Sequence, residues 1–153
     1  MSDTLDETDR HILRELQRNA DQSYEALGEQ IGLSRNATWR RIKRLEDDGV
    51  IAARVVLVSP QALDLSLTVF IQVRTSRHDP EWLHRFTSVL KDIPEITGAY
   101  RMSGDLDYLL RARVQDMPDY DRLYQKLIRR VELADVTASF VMEDLKDTTA
   151  LPI

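Results

Sequence analysis

The feature that most constrains this chain is a change of hydrophobic period partway along it. Up to about residue 50 the apolar side chains recur every three or four positions, and from residue 66 they alternate. The first spacing belongs to helices with one buried stripe, the second to strands with one buried face. A chain of 153 residues with that division holds a small helical unit followed by a mixed one, and places the protein in the α+β class.

Three helices account for the first half. In "DETDRHILRELQRN", Ile12, Leu13 and Leu16 share a face, and Thr4 with Glu7, or Asp6 alone, offers a cap at the start. "DQSYEALGEQIG" supplies Ser23 as N-cap, Tyr24, Leu27 and Ile31 as an apolar stripe, and Gly32 as terminator. Ser34 then caps a third helix whose buried side takes Thr38, Ile42 and Leu45, and Gly49 ends it. Two helices separated only by "GLS" describe a helix-turn-helix, with residues 1–52 as its domain. A linker strand is expected over 53–64. Val55, Val56, Leu57 and Val58 make both of its faces apolar, and such a strand wants a partner, for which its twin in a second subunit is one solution.

The second half reads strand, helix, strand, strand, helix, strand over residues 65–153. "LTVFIQVR" alternates Leu67, Val69, Ile71 and Val73 against polar neighbours. Asp79-Pro80 opens a helix carrying Leu83, Phe86, Val89, Leu90 and Ile93. "ITGAYRM" and "DYLLRARV" form a hairpin around "SGDL", and Asp116 with Pro118 opens a helix lined by Tyr120, Leu123, Leu127 and Val131. "VTASFVME" closes the series, with Val136, Ala138, Phe140 and Met142 on one face. This βαββαβ order is the ferredoxin-like pattern, an antiparallel sheet with both helices on one side.

Charge is where the chain stops looking ordinary. The net charge is −5 and neither half is basic, yet Arg35, Arg40, Arg41, Lys43 and Arg44 fall within ten residues that hold no acid. Two readings compete: a solvated helix face, or a surface that meets a polyanion. Basic residues late in a helix offset its dipole, and Glu46, Asp47 and Asp48 lie close enough to pair with Arg44 and Lys43. Spacing of this kind leaves Arg35, Arg40 and Arg41 unexplained. In a helix-turn-helix the second helix presents its N-terminal half to base edges, here Arg35, Asn36, Trp39 and Arg40. Arginine pairs with guanine and asparagine with adenine, while Arg41, Lys43 and Arg44 lie where phosphates run. Ser34 and the free N–H groups behind it make a phosphate seat. Trp39 either packs on a sugar or thymine methyl, or folds down against the first helix.

Other functions find little support. His11, His78 and His84 stand on separate elements without metal-ligand spacing, and there is no cysteine, P-loop, nucleophile elbow or dinucleotide fingerprint. No enzyme, cofactor or metal is expected. The strand "DYLLRARV" lacks the aromatic pattern of an RNA-recognition motif. "MSDTLDETDR" contains no apolar run of signal-peptide length, and no stretch suits a membrane span, so a cytoplasmic protein is expected. A non-catalytic dimeric adaptor or sensor that does not touch DNA remains the alternative.

"LDETDRHILRELQRNADQSYEALGEQIGLSRNATWRRIKRLEDDGVI" resembles the DNA-binding domain of the Lrp/AsnC transcription regulators. "MSGDLDYLLRARVQDM" resembles the Gly-Asp-x-Asp-Tyr segment of their regulatory domain. The ending "DVTASFVMEDLKDTTALPI" is most similar to the subgroup that regulates cysteine detoxification. The resemblance implies a winged helix-turn-helix regulator of transcription that binds double-stranded DNA at Ser34, Arg35, Asn36, Thr38, Trp39, Arg40, Arg41, Lys43 and Arg44. It implies a homodimer joined through the regulatory sheets and linker strand, assembling further to a tetramer or octamer. It also implies a small effector, an amino acid with cysteine as first candidate, held at Met102, Ser103, Gly104, Asp105, Leu106, Asp107 and Tyr108, with Tyr100, Thr137 and Ser139 alongside. The chemistry is compatible. Asp105 or Asp107 would take the ammonium group, and the Gly104 N–H and Ser103 hydroxyl the carboxylate. A plain hairpin turn uses the same residue types.

Overall fold

The computed structural model describes residues 5–153 and divides them into two compact units. One runs to Leu57 and takes in Lys146–Ile153; the other is Val58–Leu145. The last eight residues therefore group with the helices rather than with the sheet they follow. Their anchor is an amide pair. The Gln17 side chain donates to the Leu151 carbonyl at 3.2 Å and accepts from the Leu151 N–H at 2.6 Å.

The helical unit consists of α1 (Glu7–Arg18), α2 (Tyr24–Ile31) and α3 (Arg35–Asp47). Their caps follow the sequence. Asp6, Ser23 and Ser34 each accept a backbone N–H from the third helical residue, and Gly32 ends α2 in the left-handed region at φ 73°. At the start of α1 the expected capping residue is Asp6 and its reciprocal partner is Asp9; Thr4 lies outside the described residues. Ile12, Leu27, Ile42 and Leu45 form the buried core, with Leu13, Leu16, Tyr24 and Ile31 packed around it. Gly28 lets α3 come close. A β-carbon there would stand 2.5 Å from the Leu33 carbonyl oxygen and 2.9 Å from the Thr38 hydroxyl.

The expected linker strand is absent from the single chain. Residues 52–59 form no strand, and Gln61–Leu63 form one 3-10 turn. Val56 is 88% exposed. The segment is rich in β-branched residues, but a strand requires a hydrogen-bonded neighbour and the fold of one copy supplies none.

The second unit is a sheet of β1 (Leu67–Arg74), β2 (Ile96–Arg101), β3 (Tyr108–Val114) and β4 (Asp135–Phe140), in the order β2-β3-β1-β4 and antiparallel throughout. α4 (Pro80–Lys91) and α5 (Met117–Ile128) supply the second layer. Asp79 and Asp116 cap them, each with proline in the first turn. Val69, Ile71, Val73, Leu110, Ala112 and Val114 point into a core shared with Phe86, Val89, Ile93, Leu123 and Leu127.

Two expected core positions change hands. Leu83 is exposed, and Trp82 is buried in its place. The Trp82 ring stacks on Phe86 at 4.9 Å between centroids, and its indole N–H donates to the Glu132 carbonyl, an anchor leucine cannot offer. Met142 lies beyond the end of β4 and is 97% exposed, so the strand face stops at Phe140.

Gly28→Ala tests the close approach of α2 and α3. Alanine improves helix propensity by about 1 kcal/mol. Forcing its methyl against a fixed carbonyl costs roughly 1–3 kcal/mol. The variant should unfold at lower urea than the parent, and a higher midpoint would show that the two helices have room to spare.

Candidate nucleic-acid interface and effector loop

α3 carries the basic cluster, and the structure separates its members. Arg35, Asn36, Trp39 and Arg40 lie on the exposed side of its N-terminal half. Trp39 is 49% exposed and does not fold down against α1. Among the described residues neither Arg35 nor Arg40 has an ion pair. Ser34 spends its side chain on the Ala37 N–H. Thr38 is fully buried and its hydroxyl donates to the Ser34 carbonyl, so it belongs to the helix–helix contact at Gly28 and does not stand on the outer face with the others.

The remaining three cations are held by carboxylates of the same unit. Lys43 pairs with Asp47 at 2.7 Å, the one local pair, which raises the lysine above its ordinary value. Arg41 donates to Asp6 at 2.7 Å and to Asp9 at 2.8 Å, and Arg44 donates to Asp9 at 2.5 Å. Spacing alone could not reveal this, because the partners of Arg41 lie 35 and 32 residues away on α1. One signal was present. Asp9 falls on the stripe of Ile12, Leu13 and Leu16, at i, i+3, i+4 and i+7. A carboxylate on a buried stripe requires a cation from elsewhere. Leu33, Ala37, Arg40, Arg41 and Arg44 together line an open groove of about 440 Å³.

The 102–107 loop is equally divided. The hairpin closes with the Met102 N–H donating to the Asp107 carbonyl, while the Asp107 N–H donates to Val73. The Asp107 carboxylate accepts the Thr75 N–H at 2.8 Å, and the Thr75 hydroxyl is exchanged with the backbone of Arg77. Asp107 is thus a structural clamp across the ends of β1 and β3. Asp105 is exposed beside Ser103 and Gly104, whose φ of 105° suits glycine. Tyr108 points the other way, into the core, 4.8 Å from Phe86 and 5.7 Å from Trp82 between ring centroids. It is a core residue and not part of an effector surface.

Tyr100, Thr137 and Ser139 lie on the face of the sheet away from the helices. The pairing places Tyr100, Leu109, Gln72 and Thr137 in one row, with Arg111, Phe70 and Ser139 in the next. Tyr100 and Thr137 sit on opposite edge strands, three strand spacings of ~4.8 Å apart. One copy of the chain does not bring them together.

Two outcomes check these assignments. The Asp9 N–H and the Arg41 guanidinium hold the Asp6 carboxyl below its ordinary value of 3.8. A depressed carboxyl stabilises the fold above its unfolded value, and that contribution disappears as the pH falls through the folded one. Asp6→Asn keeps the cap and loses the charge. Its thermal midpoint should lie below the parent's at neutral pH and meet it well below pH 3.8, whereas a gap independent of pH would contradict the ion pair. In the loop, Asp107→Ala should lower the midpoint and Asp105→Ala should not.

Residues 68–151 match the family model described as the Lrp/AsnC ligand binding domain, and residues 5–52 match a winged helix-turn-helix DNA-binding model. The chain is 48% identical to the glutamate uptake regulatory protein of Zymomonas mobilis, over 97% of this chain and 91% of that one. It is 45% identical to the DNA-binding transcriptional activator DecR of Escherichia coli, over 97% and 99% of the two chains. Its fold superposes on that of the regulator NMB0573 of Neisseria meningitidis, solved with L-Met, with TM-score 0.92 at 34% identity and 97% coverage of both. No helix among the described residues is long and apolar enough to cross a membrane.

Proposed function

The chain belongs to the Lrp/AsnC family of DNA-binding transcriptional regulators, and from that premise we propose that α3 reads the major groove through Arg35, Asn36, Trp39 and Arg40 while an amino acid at the 102–107 loop governs the response. One observation carries the DNA assignment. Two arginines, an asparagine and a half-exposed tryptophan stand together on the N-terminal half of α3, and neither arginine has an ion pair among the described residues. This is the part of a helix-turn-helix that reaches base edges. A solvated face has no use for a large exposed indole, and the acids that follow on α3 are directed to Lys43 and to Arg54. The family's regulators are not enzymes.

The effector is an amino acid, bound with its ammonium group on Asp105 and its carboxylate on the Gly104 N–H and Ser103 hydroxyl. Asp107 is already committed to Thr75. The relatives support this class, since one is named for glutamate uptake and one was solved with L-Met. Cysteine is the first candidate, on the similarity of the chain's ending to regulators of cysteine detoxification.

Two features of the single copy support assembly. Val55–Val58 are apolar, exposed and unpaired, and Tyr100 lies at the far end of its row from Thr137. A homodimer pairing the linker segments and facing the sheets would cover the first and join the second, with tetramers or octamers built from it. The effector then acts by favouring one assembly over another.

Salt dependence separates this regulator from an adaptor or sensor that ignores DNA, the reading favoured by the three self-engaged cations. A dimer with about ten phosphate contacts would give a slope of log K against log salt near −9. With Arg41, Lys43 and Arg44 partly neutralised, the slope should be shallower, roughly −4 to −7. Binding indifferent to salt eliminates the DNA reading. For the effector, a thermal-shift screen of the twenty amino acids should single out one or a few ligands. Calorimetry should then show the heat of that ligand lost in Asp105→Ala, and equal heats in variant and parent would remove the site.

A further inference from the structure

Among the described residues Asp9 is the one acidic residue buried in the helical unit, at 1% exposure. Its carboxylate accepts from three directions: Arg41 Nη1 on Oδ1, and Arg44 Nη2 and the Asp6 N–H on Oδ2. Stability alone does not call for this arrangement. The position continues the stripe of Ile12, Leu13 and Leu16, where an apolar side chain would serve the core with no charge to desolvate. What an aspartate provides and a leucine cannot is a fixed anionic point from which two guanidinium groups are held.

Those two groups belong to the surface proposed above to meet DNA. Arg41 and Arg44 line the same groove as Arg40. Arg41 uses Nη1 for both acids, and Arg44 uses Nη2. Each therefore keeps its Nε and one Nη to donate to something else. An arginine free in solvent samples many rotamers and meets a phosphate as a mobile charge. An arginine gripped at one Nη presents its remaining donors in a set direction, and its planar fork makes that direction matter.

We infer that Asp9 is a positioning residue for DNA recognition: it holds Arg41 and Arg44 as oriented phosphate donors that set the register of α3 in the groove, and so contributes to sequence discrimination. Asp9 offsets one of the two positive charges it holds, so it lowers indiscriminate affinity as it raises discrimination. Backbone contacts carry no sequence information themselves, but they fix where the base-reading residues Arg35, Asn36 and Trp39 fall. The inference rests on the DNA-binding reading and goes beyond it, in giving a residue of α1 a role in the specificity of α3.

The test compares two duplexes on the full-length protein: the tightest duplex selected by the parent chain from a random pool, and a scramble of the same composition. In Asp9→Asn the ratio of the two affinities should fall by roughly tenfold, the low end of what one misplaced base contact costs. Affinity for the scramble should hold or rise, and its salt slope should steepen as Arg41 and Arg44 are released. A purely structural role would weaken both duplexes in parallel and leave the ratio unchanged, which overturns the inference. Should Asp9→Asn fail to fold by circular dichroism, Arg41→Lys decides. It keeps the charge and the Asp9 contact but loses the fork, so the ratio should fall again, and an unchanged ratio overturns the inference. If the parent itself shows no salt-dependent DNA binding, the functional reading has failed, and that failure is visible before any variant is made.

Discussion

A carboxylate on a hydrophobic stripe must be neutralised or the stripe cannot close, and the helical unit is organised around that requirement at Asp9. Removing one member of such a buried pair typically costs about 3–5 kcal/mol, because the remaining charge is left without a partner. Arg41 and Arg44 are 30% and 43% exposed, so water screens part of that cost here. The constraint still reaches widely. Asp9 closes the capping box of α1 through Asp6 and ties the middle of α3 to the start of α1. Gly28 and Thr38 complete the geometry from the other side by letting α2 and α3 approach. The N-terminal half of α3 is left over, and that is where Trp39 stands with Arg35 and Arg40, which have no ion pair among the described residues.

The regulatory unit solves a different problem, since a single sheet with helices on one side has a second face to account for. Its inner face is closed in part by Trp82 and Phe86, which stack on each other and pack against Tyr108 of β3. The outer face mixes Tyr100, Leu109 and Phe70 with Thr137, Ser139 and Arg111, a composition suited to a partner that is partly apolar and partly hydrogen-bonding. The exposed Val55–Val58 segment poses the same demand in backbone form. The homodimer proposed above would answer both, with assembly as the lever for the proposed effector.

Most of the architecture could be read from periodicity and caps. Asp6, Ser23, Ser34, Asp79 and Asp116 stand where the helices begin, and Pro80 and Pro118 confirm two of the starts. These signals are local, involving residues three or four apart, so they survive without knowledge of the fold. The sequence named candidate site residues but not their division of labour. Arg41 and Asp107 look like binding residues because their types suit a ligand, yet each is committed to a partner on another element. Trp82 and Leu83 are adjacent and both apolar. Which of them is buried turns on whether an acceptor such as the Glu132 carbonyl lies within reach of the indole.

By itself the sequence determined the element types and their order outside the linker, the helix ends, and the concentration of cations on one helix, because each depends on spacing within a few residues. Only the tertiary structure decided which cations are free and which are held, which aspartate of the hairpin is a clamp, and that Tyr100 and Thr137 stand at opposite edges of the sheet. Those outcomes depend on pairings across 30 residues or more. At such separations the partner is chosen by packing and strand register, and no local pattern of residue types encodes the distance.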